Sequence, residues 1–213
     1  MRRTNKTNII RQSIINYVES NAKTFIIITI MFLIGLVLGI ISINKIDENG
    51  KNQVINYIQG FIENVKENSE ISSVDVLKNS IKNNLYITII LWFLGSTIIG
   101  MPLIFIVIIY KGYSIGYSLA AVIATLGIGK GVLFIIPNMV LKYILYIPCI
   151  LTIAVSGIKL YKVIIEDRRR ENIRVKILQH TFLSLMAFCI LIISSIIESS
   201  ISINIMKSVI NYL

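Results

Sequence analysis

Residues 24–43 read TFIIITIMFLIGLVLGIISI, twenty consecutive positions without a charge. At 1.5 Å per residue a helix of that length spans ~30 Å, the thickness of a bilayer's hydrocarbon core. The run is too long for the apolar core of a secretory leader, and no small-x-small cleavage signal precedes the polar stretch that begins at Asn44. It reads as an uncleaved first transmembrane helix.

Further runs follow the same logic. Residues 85–110 are interrupted only by Gly95, Gly100 and Pro102, so a second span is expected there, kinked near Pro102. Residues 112–136 form a third. Spans 143–161, with Pro148 in its first turns, and 178–197 complete the set. The segment 129–141, with Gly129, Lys130, Gly131, Pro137 and Asn138, fits a helix end, a short re-entrant segment or an interfacial loop, and is the candidate partner or re-entrant region. The fold class is therefore all-α: a polytopic integral membrane protein with about five transmembrane helices. Composition agrees, with 55% hydrophobic and 15% charged residues against about 45–50% and 25% in soluble domains. Because isoleucine alone supplies roughly a quarter of the chain, run length carries the inference rather than composition.

The net charge of +10 does not imply nucleic acid, because the basic residues form no folded face interleaved with exposed aromatics. They sort instead by side of the membrane. With the N-terminus in the cytoplasm, the segment 1–23, Lys111 and the region 159–177 hold thirteen of the 21 basic residues, so the positive-inside rule favours N-in and C-out. Arg168, Arg169 and Arg170 serve as topology anchors against anionic headgroups of the membrane lipids. Tyr86 and Tyr110, then Tyr143 and Tyr161, are placed to bracket the second and fourth spans. Residues 1–23 carry Ile10, Ile14 and Val18 on one face. The outer segment 44–84 carries Val54, Ile58, Phe61 and Val65, then Val74, Leu77 and Ile81 after Ser72 and Ser73, so two amphipathic helices are expected there. Their apolar faces rest on the bilayer, on the spans or on a partner protein. The tail 198–213 repeats the pattern weakly on the outer side.

Gly112-Tyr113-Ser114-Ile115-Gly116 matches G-x-S-x-G, and the single histidine, His180, begins the last span. That motif needs a strand-turn-helix to expose its serine, which a helical membrane chain does not offer. No catalytic, metal or cofactor residue is assigned, and the chain is read as a non-enzyme. The same glycines also read as G-x-x-x-G, as do Gly35 and Gly39; small residues at that spacing let helix backbones approach closely. Gly127, Gly129 and Gly131 lack a Walker-type continuation, and Cys149 and Cys189 are small hydrophobes in apolar runs. No acid or histidine sits at a span centre, so a proton or ion relay is unsupported. A homo-oligomer and a permease-like subunit working with a separate ATPase both stay open.

The layout resembles the stage II sporulation protein M family: a basic N-terminus, a first span, a polar outer segment, then further spans. The resemblance is carried by Ile98-Ile99-Gly100-Met101-Pro102, Lys111-Gly112, Ser114-Ile115-Gly116, Gly129-Lys130-Gly131, Ile136-Pro137-Asn138 and Ile147-Pro148. It implies a scaffold of the engulfment machinery in the septal or forespore membrane, recruiting peptidoglycan-degrading enzymes, the sporulation proteins D and P. It supplies no functional residues of its own.

Overall fold

The computed structural model describes residues 6–67, 73–97, 99–166 and 173–202. Arg168, Arg169 and Arg170 and the amphipathic tail beyond residue 202 lie outside the described residues. The elements are α1 (Lys6–Ser20), α2 (Ala22–Lys45), α3 (Glu48–Glu67), α4 (Ser73–Gly95), α5 (Gly100–Ile135), α6 (Leu141–Glu166) and α7 (Ile173–Ile197). Short π-helical segments occupy Ile136–Val140 and Glu198–Ser202, and no strand occurs among the described residues.

Four helices, α2, α5, α6 and α7, are long and apolar enough to cross a membrane. The distribution of side chains supports that setting. Ile26, Leu33, Val37, Phe93, Ile106, Leu178 and Phe182 lie on the outer surface, while Ser80, Asn84, Thr88, His180, Ser194 and Ser195 are buried between helices. Water would reverse that arrangement, since contiguous exposed apolar patches of this extent are rare on soluble monomers. The chain is a helical membrane protein.

Side-chain pairings fix the relative helix directions. Gly35 meets Ile109 and Gly39 meets Tyr113, so α2 and α5 run parallel. Ser80 meets Ser195 and Trp92 meets Thr181, so α4 runs antiparallel to α7. Lys142 meets Glu198 and Ser156 meets His180, so α6 is antiparallel to α7 as well. Since α2 and α5 point the same way, the intervening chain returns to its starting side through α4.

Two boundaries differ from the sequence expectation. The apolar stretch 85–110 is not one kinked helix, because the chain breaks between Gly95 and Gly100. Pro102 then falls in the first turn of α5, where its missing N–H has no helical partner to lose. The helix instead runs unbroken through the KGYSIGY segment, which places Lys111 inside α5 rather than in a loop. Tyr86 and Tyr110 accordingly sit well within α4 and α5 and bracket nothing. The second amphipathic segment does not stop before Leu85 but forms the first half of α4.

The other boundary is Gly127, whose φ of 77° and ψ of 166° interrupt α5. A Cβ on Gly131 would come 3.0 Å from the Cα of Ile123, whereas residues eight apart in a straight helix are ~12 Å apart. The chain therefore doubles back at Gly127. Residues 128–166 descend as one run through the π segment that holds Pro137 and Asn138 into α6. The 129–141 region is thus the returning limb of a helical hairpin.

Candidate functional site

Three features of the bundle bear on function: a glycine-lined helix pair, a buried polar seam and a cap at one end. In the first, the two G-x-x-x-G motifs face one another. A Cβ on Gly35 would collide with the backbone of Ile109, its Cα lying only 3.0 Å away; one on Gly39 would fall 2.7 Å from the Tyr117 nitrogen. From the other side, Gly112 abuts Phe32 and Leu36, and Gly116 abuts Leu36. With backbone against backbone over this length, Ile28 and Phe32 of α2 are buried in the core with Ile104 and Ile108 of α5. Dispersion between the two helices replaces the hydrophobic drive that lipid does not supply.

The second feature joins α4, α6 and α7. Ser80, Asn84 and Thr88 recur every four residues and so form one stripe of α4. The Asn84 amide donates to the Ser195 hydroxyl at 2.8 Å and to the Leu191 carbonyl at 3.2 Å. The Ser80 hydroxyl donates to the Glu198 carboxylate at 2.5 Å and lies 3.0 Å from the Ser195 oxygen. Lys142 closes the seam with an ion pair to the other Glu198 oxygen at 2.7 Å, and Ser194 donates to the Lys142 carbonyl at 3.2 Å. Burying such groups costs free energy unless each finds a partner, so the seam specifies how the three helices register. At its other end Gly95 and Gly157 touch, the Cβ position of the first 2.6 Å from the Cα of the second, beside His180. His180 is 1% exposed, with Nδ1 2.9 Å from Ser156 and Nε2 3.3 Å from the Trp92 carbonyl.

That pairing answers the G-x-S-x-G motif. Ser114 is exposed on the middle of helix α5 and its carbonyl accepts from Ser118, while His180 is engaged by α4 and α6. The structure does not bring Ser114 and His180 together.

The third feature is the cap. The apolar run of α2 ends at Ile43, which packs on Ala120 and Ala121. From Ala121 the hairpin continues six positions to Gly127, ~9 Å of additional rise. Helix α3 covers it: Val54 and Ile58 approach Ala120 and Ala121, and Ile62 packs with Val122, Phe134 and Ile135. Phe61, expected on the packed face, is 43% exposed, and Ile62 takes its place. Spacing of 54, 58 and 62 keeps a straight helix in register with its neighbour. Tyr57, at 78% exposed, and Ile128, at 76%, point away from the cap's core. Gly129 and Lys130 lie on the same limb just past the turn, with Lys130 exposed and Gly129 in open space.

Sequence reasoning found the glycines but missed the Lys142–Glu198 pair and the α4 stripe. The signal was present in the four-residue recurrence of Ser80, Asn84 and Thr88, which runs straight into the apolar run after Leu85. The sequence motifs at 100–102, 112–116, 129–131 and 137 coincide with the helix break, the close approach, the hairpin and the π segment. The family model described as stage II sporulation protein M matches residues 28–203. No curated protein and no solved structure matches the chain.

Proposed function

The chain belongs to the stage II sporulation protein M family, and on that premise we propose that it is a non-enzymatic membrane scaffold. It crosses the membrane five times, with α4 as the fifth crossing beside the four long apolar helices, and its N-terminus is cytoplasmic and its C-terminus outside. The α4 stripe is compatible with lipid because Ser80, Asn84 and Thr88 turn to buried partners, while Tyr86, Ile89 and Phe93 face outward. Moving Lys111 out of the cytoplasmic tally leaves twelve basic residues inside against eight outside, so the orientation argument survives the change of register.

The observation that carries the scaffold reading is the cap formed by α3 and the Gly127 hairpin. It stands beyond the apolar layer on the side opposite the N-terminus and presents Tyr57, Phe61 and Ile128 to solvent. Exposed aromatics on a rigid support are the residues from which protein interfaces draw most of their binding energy. Wall-degrading enzymes acting outside the membrane, the sporulation proteins D and P by family resemblance, are the partners this surface suits. Purification of the full chain from sporulating cells tests it. The reading expects both wall hydrolases to co-purify, and Tyr57→Ala with Phe61→Ala to lose them without changing the melting temperature. Co-purification of an ATPase instead, with no hydrolase, would overturn it in favour of a transport subunit.

A further inference from the structure

Lys111 is half-buried on helix α5, and among the described residues no acid pairs with it. Its depth follows from the neighbouring helix. Because α2 and α5 run parallel, with Gly35 at Ile109 and Gly39 at Tyr113, Lys111 falls level with Val37. The charge-free run of α2 ends six residues further on at Ile43, ~9 Å toward the cap, and begins thirteen residues back at Thr24, ~20 Å the other way. Side chains on a helix lean toward its N-terminus, so the stem of Lys111 sets off away from the cap, the nearer edge of the apolar layer. Its ammonium therefore lacks the short path to the headgroups that a lysine near a helix end has.

The spans hold no carboxylate for it. Glu198 is taken up by Lys142 at 2.7 Å and by the Ser80 hydroxyl, and the like charge of Lys142 works against that of Lys111. No acidic residue occurs in α2, in α5, in α6 before its last residue Glu166, or in α7. Asp75 of α4 lies in the first turn, ahead of the apolar run from Leu85. A second copy of the chain has the same spans, so it brings no carboxylate to this depth either. An ion unpaired in hydrocarbon is costly, and intramembrane charges in general find a partner of opposite sign. The face of α5 beside Lys111 is open to one. Ser114 and Ser118 follow Lys111 at three and seven residues, on the same side of the helix. Ser114 is exposed, and Tyr110 is 63% exposed. Two small residues one turn apart let a further helix come close; the lysine is what specifies the chemistry of that helix.

We propose that this face of α5 docks a transmembrane helix of a different protein, one carrying an aspartate or glutamate ~9 Å inside its cap-side end, whose carboxylate pairs with Lys111 while the helix packs over Ser114 and Ser118. A lipid phosphate is the other anion a membrane offers. It sits beyond the apolar layer, whereas a carboxylate on a helix is set at the depth of Lys111 by its place in the sequence. The proposal needs only that α5 crosses the apolar layer. It does not rest on the scaffold reading, since a helix of this kind would serve a scaffold and a transport subunit alike.

The test reconstitutes the full chain in phosphatidylcholine liposomes with a labelled synthetic helix of about 22 leucine and alanine residues, and reads association by energy transfer. The helix carries one glutamate about six residues from an end, and the same helix with glutamine is the control. The glutamate helix should bind about tenfold more tightly than the glutamine helix. Lys111→Met should abolish that difference, Lys111→Arg should keep it, and Lys111→Glu should move the preference to a helix with lysine at the same position. Lys111→Met alone should leave the melting temperature unchanged or raise it, since it removes a charge with no partner in the chain. Equal binding of the two helices, or a preference that survives in Lys111→Met, would overturn the proposal. So would a lower melting temperature of Lys111→Met, which would show the lysine to be held within its own chain. Phosphatidylglycerol retained by the wild type and not by Lys111→Met in native mass spectrometry, with no preference between the helices, would overturn it in favour of a lipid headgroup.

Discussion

At the α2–α5 contact, adding one methyl group decides between a tight and a forced helix pair. A side chain on Gly35 or Gly112 meets backbone, which cannot rotate away. Gly35→Ala and Gly112→Ala should each cost about 1–3 kcal/mol, read as a lower melting temperature in detergent. Gly60→Ala is the control, since it has open space and a helical position, and it should be neutral or stabilising by up to ~1 kcal/mol. Equal effects at all three positions would mean the helices do not pack through these glycines. The Lys142–Glu198 pair is a second residue-scale test. Lys142→Gln or Glu198→Gln alone strands a charge in a half-buried seam at about 1–3 kcal/mol, and the double variant should cost less than the two added together. Simple additivity in that cycle would show the two residues to be uncoupled. The glycine spacing was legible in the sequence, but which motif faced which was not, because spacing names a helix face and not its partner.

Among the elements, the all-helical class and the family motifs were readable, while two boundaries were not. Hydropathy over 85–110 is nearly continuous, so no window average separates the end of α4 from the start of α5. What separates them is local: Gly95 and Gly100 flank a short turn, with Thr97 donating its amide to the Leu94 carbonyl, and Pro102 begins the new helix. Lys111 misled for the opposite reason, since a lone lysine beside two glycines resembles a loop until those glycines prove to be a helix interface. The Gly127 hairpin makes its own prediction. No atom crowds Gly127, yet its positive φ is strained for any other residue. Gly127→Ala should therefore cost about 1–2 kcal/mol through the backbone alone. Gly129→Ala, two residues on in equally open space, should be near neutral. The contrast is measured by unfolding both variants in the same detergent, and equal stability would argue against the turn.

Over the whole molecule, the parallel course of α2 and α5 requires a return between them, and of the two helices there, α3 and α4, it is α4 that carries the apolar run from Leu85. The proposed crossing by α4 would place the Gly95–Gly100 turn on the side of the N-terminus and the α3–hairpin cap on the other. Single cysteines in a cysteine-free background, labelled in intact cells and in inverted vesicles with a membrane-impermeant maleimide, test this directly. Ile128→Cys should react from outside, Thr97→Cys only from the cytoplasmic side, and Ser114→Cys from neither. Labelling of Ser114→Cys from the cytoplasm, with Thr97→Cys silent from both sides, would restore a helix across 85–110 and contradict the architecture on which the outer cap depends.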